Sequence, residues 1–407
     1  MPPFTNLRRF GMLRSLFSGI SGLRSHQTMM DVVANNIANV NTTGYKSSNV
    51  IFEDTLSQII RSAGAPGAGI GGTNPAQIGL GVQVGTIQTN FLQGSAQTTN
   101  KPTDLLIQGD GFFVLKDGNE QVYTRAGAFN FDTEGYLVNN HGNYVQGFPA
   151  VNGVVDPYGT PTSIRLQVGS TIASTPTTLV EVGGNITADN KNPITLSPTA
   201  YDIRGAGHPL STVFTYNGVD GYDVAITDTT DGATGSGSVT FLPSGSPNLP
   251  ATASITLADG SVVNIDLGGL TNYNGQASIS VKTSNGFPAG SLTQFQISPD
   301  GTVIGIYSND VKQNVGQIAL ANFNNPGGLE KLGDTTYRSS PNSGLAQIGV
   351  AGTGGRGVMN SGILEMSNVD LGMEFTNLII AQRGFTANSR VITSSDEMLQ
   401  DLVNIKR

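Results

Sequence analysis

Both ends of this chain carry the same seven-residue hydrophobic repeat, and over 300 residues of a different periodicity separate them. From the N-terminus, apolar residues fall at Leu13, Leu16, Ile20, Leu23, Met30, Ala34 and Ile37, stepping by three and four, with Gln27 as the polar interruption. Near the C-terminus, Leu371, Leu378, Phe385, Ile392 and Leu399 recur every seven residues. Three residues beyond each come Glu374, Ala381, Asn388, Ser395 and Leu402, a second row that is mostly small and polar. Such spacing marks a helix that packs along another helix. It is narrower than the stripe a helix buries against a globular core. The expectation is a chain folded out and back, its termini paired in a coiled-coil-like stem. Gly19 and Gly22 lie off this seam and should weaken the first helix by about 1 kcal/mol each. Ser367, Asn368 and Asp370 supply a start signal for the second helix.

Between the ends the period changes to that of short strands. GFFVLKDGNEQVYTRAGAFNFDTEGYLVNNHG, beginning at Gly111, has apolar runs broken by Asp117-Gly118, Gly127 and Glu134-Gly135, which read as hairpin turns. FQISPDGTVIGIYSN, Phe295 to Asn309, and ITLADGSVVNIDL, Ile255 to Leu267, repeat that form. The 54 glycines favour tight turns over a large helical core. Residues 149–288 hold ten acidic side chains against four basic ones, so most of the formal charge of −8 sits there. A separate domain inserted into an enclosing one follows. The predicted class is α+β, mainly β, with nested β domains in the middle and the helical stem at the ends. The order is stem over 1–45, with 1–11 as an extension, then an extended linker over 46–85. The inner β domain takes 86–148 and resumes at 290–345 around the acidic outer domain at 149–289. A second linker over 346–366 returns to the stem at 367–407.

Composition excludes several chemistries. A pI near 4.8 argues against a nucleic-acid surface. Without cysteine there is no disulfide, thiol nucleophile, thiolate metal site or thiol-derived crosslink between subunits. No apolar run reaches the ~18–20 residues of a membrane span, so membrane insertion is not expected. The first twenty residues lack a secretory apolar block, and targeting signals alone would place the protein in the cytoplasm. Two stretches match G-x-G-x-x-G, at Gly67, Gly69 and Gly72 and at Gly352, Gly354 and Gly357. Neither has the strand before and helix after that phosphate binding needs. His26, His141 and His208 are far apart in sequence with no ligand-spaced partner. No catalytic, cofactor-binding or metal-ligating set can be assigned, and an enzyme is not expected.

One stretch fits none of these categories. DVVANNIANVNTTGYK, Asp31 to Lys46, begins as helix and then crowds Asn35, Asn36, Asn39 and Asn41 before Thr43, Gly44 and Tyr45. Asparagine competes with the backbone for hydrogen bonds and belongs at caps and turns. SLFSGISGLRSHQTMMDVVANNIANVNTTGYK, Ser15 to Lys46, closely resembles the N-terminal signature of the bacterial flagellar rod and hook axial proteins. SNVDLGMEFTNLIIAQRGFTANSRVITSSDEMLQDLVNIKR, Ser367 to Arg407, looks like the matching C-terminal signature. The segments around Gly109 to Leu115 and Asp300 to Phe323 resemble the hook branch of that family. The family pattern begins at a residue like Met12, so Met1 to Gly11 reads as an extension or a misplaced start.

The resemblance implies a structural subunit of a hollow, curved tubular polymer, the flexible joint that carries torque from rod to filament. It implies terminal helices lining the inner tube, with Asn35 to Tyr45 as the turn where the chain leaves it. By resemblance the partners are further copies of the same chain, rod proteins, hook cap and hook–filament junction proteins, and the flagellar export apparatus. Export without a cleaved signal would place the protein outside the cell. A distal rod or other axial protein is the alternative, and a secreted β-rich adhesin with an oligomerising stem a more distant one.

Overall fold

The computed structural model describes the chain apart from residues 1–4, 67–70, 152, 168, 219–220 and 406–407, and apart from the side chains of 5–13, 402 and 405. Gly67 and Gly69 of the first glycine motif therefore lie outside the described residues. The architecture is mainly β with a long helix at each end, α1 over Thr5–Ala38 and α2 over Leu371–Ile405. Two compact units divide it: Met1–Arg165 with Ile297–Val303 and Val315–Arg407, and Leu166–Gln296 with Ile304–Asn314. Residues 149–165, placed by the sequence with the outer domain, fall in the first unit, where Thr162–Ser163 pairs with Gln146 and Gly147.

In the first unit α1 and α2 pack against each other. Asp370 caps α2, its Oδ1 accepting from Gly372 N at 2.8 Å and Met373 N at 3.2 Å. The hairpin of Phe112–Asp117 and Glu120–Thr124 turns at Gly118, whose φ of +58° suits glycine. The second expected turn, Gly135, joins Phe129–Phe131 to Leu137–Asn139. Gly127 is not a turn. Its carbonyl accepts from Leu105 N at 2.9 Å, and a side chain there would collide with the Leu105 carbonyl. Phe112, Val114, Tyr123, Phe148, Ala319, Ala321, Phe323 and Tyr337 form the core beneath this sheet, their rings meeting edge to face.

Neither segment expected as a linker is unstructured. Within 46–85, Ser48–Asp54 pairs with Val82–Thr89, and Ser57–Arg61 pairs with Ala76–Gly79. Within 346–366, Val358–Ser361 pairs with Leu105–Gln108, and Ile363–Glu365 pairs with Ala96–Thr98. Glycine-rich composition signalled flexibility there, but the flanking residues alternate well enough to form ribbons. The second glycine motif is a loop closed by Gly352 N on the Gly357 carbonyl, and it leads into a strand.

The second unit is built on a nine-stranded sheet, antiparallel throughout except where Leu179–Asn185 runs parallel to Val262–Thr271. Alternation sets its core: from Tyr222 to Asp228 every second residue is buried, and Val224, Ile226, Phe214, Val263, Ile265 and Leu267 meet in one core. Thr252–Thr256 and Val262–Thr271 form the hairpin around Asp259-Gly260.

Candidate functional site

The helix pair is packed through its smallest residues. Ser15 Oγ lies 3.3 Å from Ser395 Oγ. A Cβ on Gly19 would stand 3.2 Å from Ile392 Cγ1, and one on Gly22 would stand 2.7 Å from Asn388 Oδ1. A Cβ on Gly384 would meet the His26 ring at 2.5 Å. Asn36 Nδ2 donates to Glu374 Oε1 at 3.0 Å. Thus α1 turns Ser15, Gly19, Gly22, His26 and Asn36 towards α2, and α2 answers with Glu374, Gly384, Asn388, Ile392 and Ser395.

Within the single chain, the row of α1 that meets α2 is not the apolar row. Leu16, Ile20, Leu23, Met30 and Ile37 are only half-buried, and the row facing α2 lies one residue earlier. One residue is about 100° of rotation on a helix, enough to exchange faces. The glycines read as weak points are the contact surface, because the absence of a side chain lets two backbones approach closely. On α2 the small row of the sequence reading is the most buried: Ala381, Ser395 and Glu374 are buried, whereas Leu378, Phe385, Ile392 and Leu399 are half-buried and Leu371 is exposed. The side chains of Leu13 and Leu402 lie outside the described residues.

Where α1 ends, the asparagines divide their work. Asn39 Nδ2 donates to the Asn35 carbonyl at 2.9 Å, and Thr42 Oγ1 donates to Asn39 Oδ1 at 3.0 Å, so these side chains close the turn locally. Asn36 points inward and is 1% exposed. Its Oδ1 accepts from Tyr45 Oη at 3.1 Å and Ser48 N at 3.0 Å, and its Nδ2 also reaches the Ser48 carbonyl at 2.8 Å. Gly44 has φ +68°, and a Cβ there would lie 2.5 Å from Ala126 N. Both constraints require glycine. Thr43 is half-buried and Asn41 exposed.

Beyond Tyr45 lies a buried ionic group that the sequence reading missed. Lys46 Nζ donates to Glu365 Oε1 and to the Leu92 carbonyl, each at 2.7 Å. Gly94 N adds a bond to Glu365 Oε1 at 2.9 Å, and Arg125 Nη1 stands 3.8 Å from Oε2. Asn368 completes the junction, its Oδ1 accepting from Ser47 N at 2.8 Å and its Nδ2 donating to the Asn90 and Leu92 carbonyls. Burial lowers the Lys46 and Arg125 pKa values, opposed in both by Glu365. Burial likewise raises Glu374, which the Asn36 bond partly offsets. A charge set among the apolar residues Ile363, Leu364 and Met366 was the available signal at Glu365; its partner, 319 residues away, was not.

The arrangement can clamp two distant parts of the chain. What it leaves open is apolar. Met373, Phe375, Ile379, Ile380, Val391, Met398 and Val403 of α2 are exposed, Met373 at 63%, and so is Phe17 of α1. Among the described residues, no helix is long and apolar enough to cross a membrane.

Comparison with known proteins bears on that exposed face. Residues 16–46 match the model of the flagella basal body rod protein family. Residues 106–191 match that of the flagellar hook protein FlgE/F/G D1 domain, and 360–405 that of the flagellar basal body rod FlgEFG protein C-terminal region. The flagellar hook protein FlgE of Borreliella burgdorferi is 36% identical over 97% of this chain and all of its own length. The flagellar basal-body rod protein FlgG of Bacillus subtilis is 34% identical over 97% of this chain and all of its own length. The crystal structure of Helicobacter pylori flagellar hook protein FlgE2 shares the fold, with a TM-score of 0.53 at 13% identity, covering 65% of this chain and 99% of that one.

Proposed function

This chain belongs to the flagellar hook protein family, and on that premise we propose that it is the structural subunit of the bacterial flagellar hook. Copies of the chain assemble outside the cell into a hollow, curved tube that acts as a flexible torque-transmitting joint. The observation that carries the assembly is the unpartnered apolar face of α2. Exposed apolar patches of this kind mark protein–protein surfaces. Within the chain, α1 covers the row of Glu374, Gly384, Asn388, Ile392 and Ser395, and exposed residues beside that row, such as Ile379 and Ile380, are left to meet neighbouring copies.

In this reading the paired helices form the inner layer of the tube, and the Asn35–Tyr45 turn leads the chain outwards. The acidic second unit faces solvent. Export proceeds through the flagellar export apparatus without a cleaved signal. Rod proteins, the hook cap and the hook–filament junction proteins are its neighbours along the axis. The role is structural rather than catalytic.

The test is Ile380→Asp, a substitution at an outward position that is 54% exposed in the single chain. Burying a carboxylate between subunits costs several kcal/mol unless it is paired. The variant subunit should fold and melt as the parent does, yet form no tubes by electron microscopy. Normal tubes from Ile380→Asp would remove the outward face of α2 from the assembly.

A further inference from the structure

The second unit carries a cluster of a histidine and three carboxylates. His208 lies on Gly207–Tyr216, and the neighbouring strand Gly221–Asp228 ends on Asp228, whose Oδ2 is 2.7 Å from His208 Nδ1. The turn that follows brings Asp231 Oδ2 to 3.4 Å from the same nitrogen. On the other edge of the ring, Asp202 Oδ2 stands 4.0 Å from Nε2. His208, Asp202 and Asp228 are buried, while the Asp231 side chain is open to solvent.

These carboxylates are held by their own loops. Asp228 Oδ1 accepts from Thr230 N at 2.8 Å, and Asp202 Oδ1 accepts from Arg204 N and Ala206 N at 2.9 and 2.6 Å. Among the described residues, His208 is the side chain set against all three, and no lysine or arginine forms an ion pair with them. One imidazole cannot balance three carboxylates, two of them buried. Uncompensated buried charge is costly.

We propose that His208 Nδ1, Asp228 Oδ2 and Asp231 Oδ2 bind one divalent transition-metal cation, with zinc the closest chemical fit. Two ligand atoms each ~2.1 Å from a tetrahedral ion stand ~3.4 Å apart. The His208–Asp231 separation has that value, and the His208–Asp228 contact would have to open from 2.7 Å by about 0.7 Å to admit the ion. A mixed nitrogen and carboxylate set suits zinc better than calcium or magnesium, which prefer oxygen alone. Asp202 lies on the imidazole nitrogen that faces away from the ion, where carboxylates commonly orient metal-bound histidines. The fourth position opens on the Asp231 side, towards solvent. The ion would fasten the 228–233 turn to the adjoining strands.

The experiment titrates ZnCl2 into the full chain at neutral pH by calorimetry and follows thermal unfolding in parallel. One zinc per chain is expected, with a raised melting temperature, and calcium at equal concentration should give no saturable binding. Asp231→Asn changes an exposed carboxylate, so its metal-free melting should match the parent. It should bind zinc at least tenfold more weakly, and His208→Gln should do the same. His141→Ala, at the exposed His141–Asp334 pair, should leave binding unchanged. Absence of saturable binding, equal affinity in Asp231→Asn, or loss of binding in His141→Ala would each overturn the site. The cluster would then be a set of histidine–carboxylate ion pairs.

Discussion

Lys46 Nζ lies 2.7 Å from Glu365 Oε1, and neither side chain has any exposed surface. The two residues sit at the bases of the terminal helices, so this bond closes the chain on itself just before each helix begins or after it ends. Removing one partner strands the other in the interior, at a cost of about 3–5 kcal/mol. Lys46→Met should therefore destabilise the first unit by that amount in denaturant unfolding. Replacing both residues with apolar ones should recover a substantial part of the loss. A Lys46→Met variant within about 0.5 kcal/mol of the parent would mean that Arg125 alone holds Glu365.

Two tyrosines near this junction should respond oppositely to loss of the hydroxyl. Tyr337 is 1% exposed, and among the described residues its Oη has no hydrogen-bond partner, although its ring packs edge to face on Phe91 and Phe112. Tyr337→Phe keeps the packing and discards an unpaired polar atom, so unfolding free energy should hold or rise by about 1 kcal/mol. Tyr45 Oη donates to Asn36 Oδ1, and Tyr45→Phe should cost about 1 kcal/mol. Equal losses in both variants would show that the Tyr337 hydroxyl is also satisfied.

Glu374 gives the helix pair a pH dependence of defined sign. Burial raises its folded-state pKa, so the folded chain holds this proton more tightly than the unfolded chain. Its contribution to stability grows as pH falls through the raised value towards the ordinary value of 4.5, and is lost as pH rises again. Other carboxylates titrate in the same range, so the informative quantity is the difference between parent and Glu374→Gln. Glutamine keeps an acceptor for Asn36. The variant's advantage in melting temperature should be greatest at neutral pH and shrink towards pH 4.5. A constant difference across that range would contradict the assignment.

The β architecture and the two terminal helices were legible because their periods differ and both run long. The junction at Asn36 was legible as an anomaly, since asparagine rarely ends a helix in such numbers without a structural task. Within the chain, the α1 row that meets α2 lies one residue before the apolar row, for a physical reason. Counting apolar side chains finds the face with the most hydrocarbon, whereas close helix packing selects the face with the least side chain of any kind. Lys46–Glu365 and His208–Asp228 were hidden because spacing in sequence carries no information about partners brought together by strand pairing.

The glycine seam permits the sharpest test, because two general effects oppose each other there. In an isolated helix, Gly384→Ala should favour α2 by about 1 kcal/mol. In the folded chain the new Cβ would meet His26 Cε1 and Nε2 at 2.5 Å. That ring has little room to retreat, since its centroid is 5.6 Å from that of Phe52 and the two meet edge to face. Overpacking of this kind costs about 1–3 kcal/mol. The expected result is a split: a peptide spanning 371–405 becomes more helical with alanine, while the full chain loses helix at a lower temperature. Adding His26→Ala should relieve the clash and give a favourable coupling of about 0.5–3 kcal/mol in the double-mutant cycle. If Gly384→Ala instead raises the melting temperature of the full chain, the helices do not touch at this residue and the glycine row is not their seam.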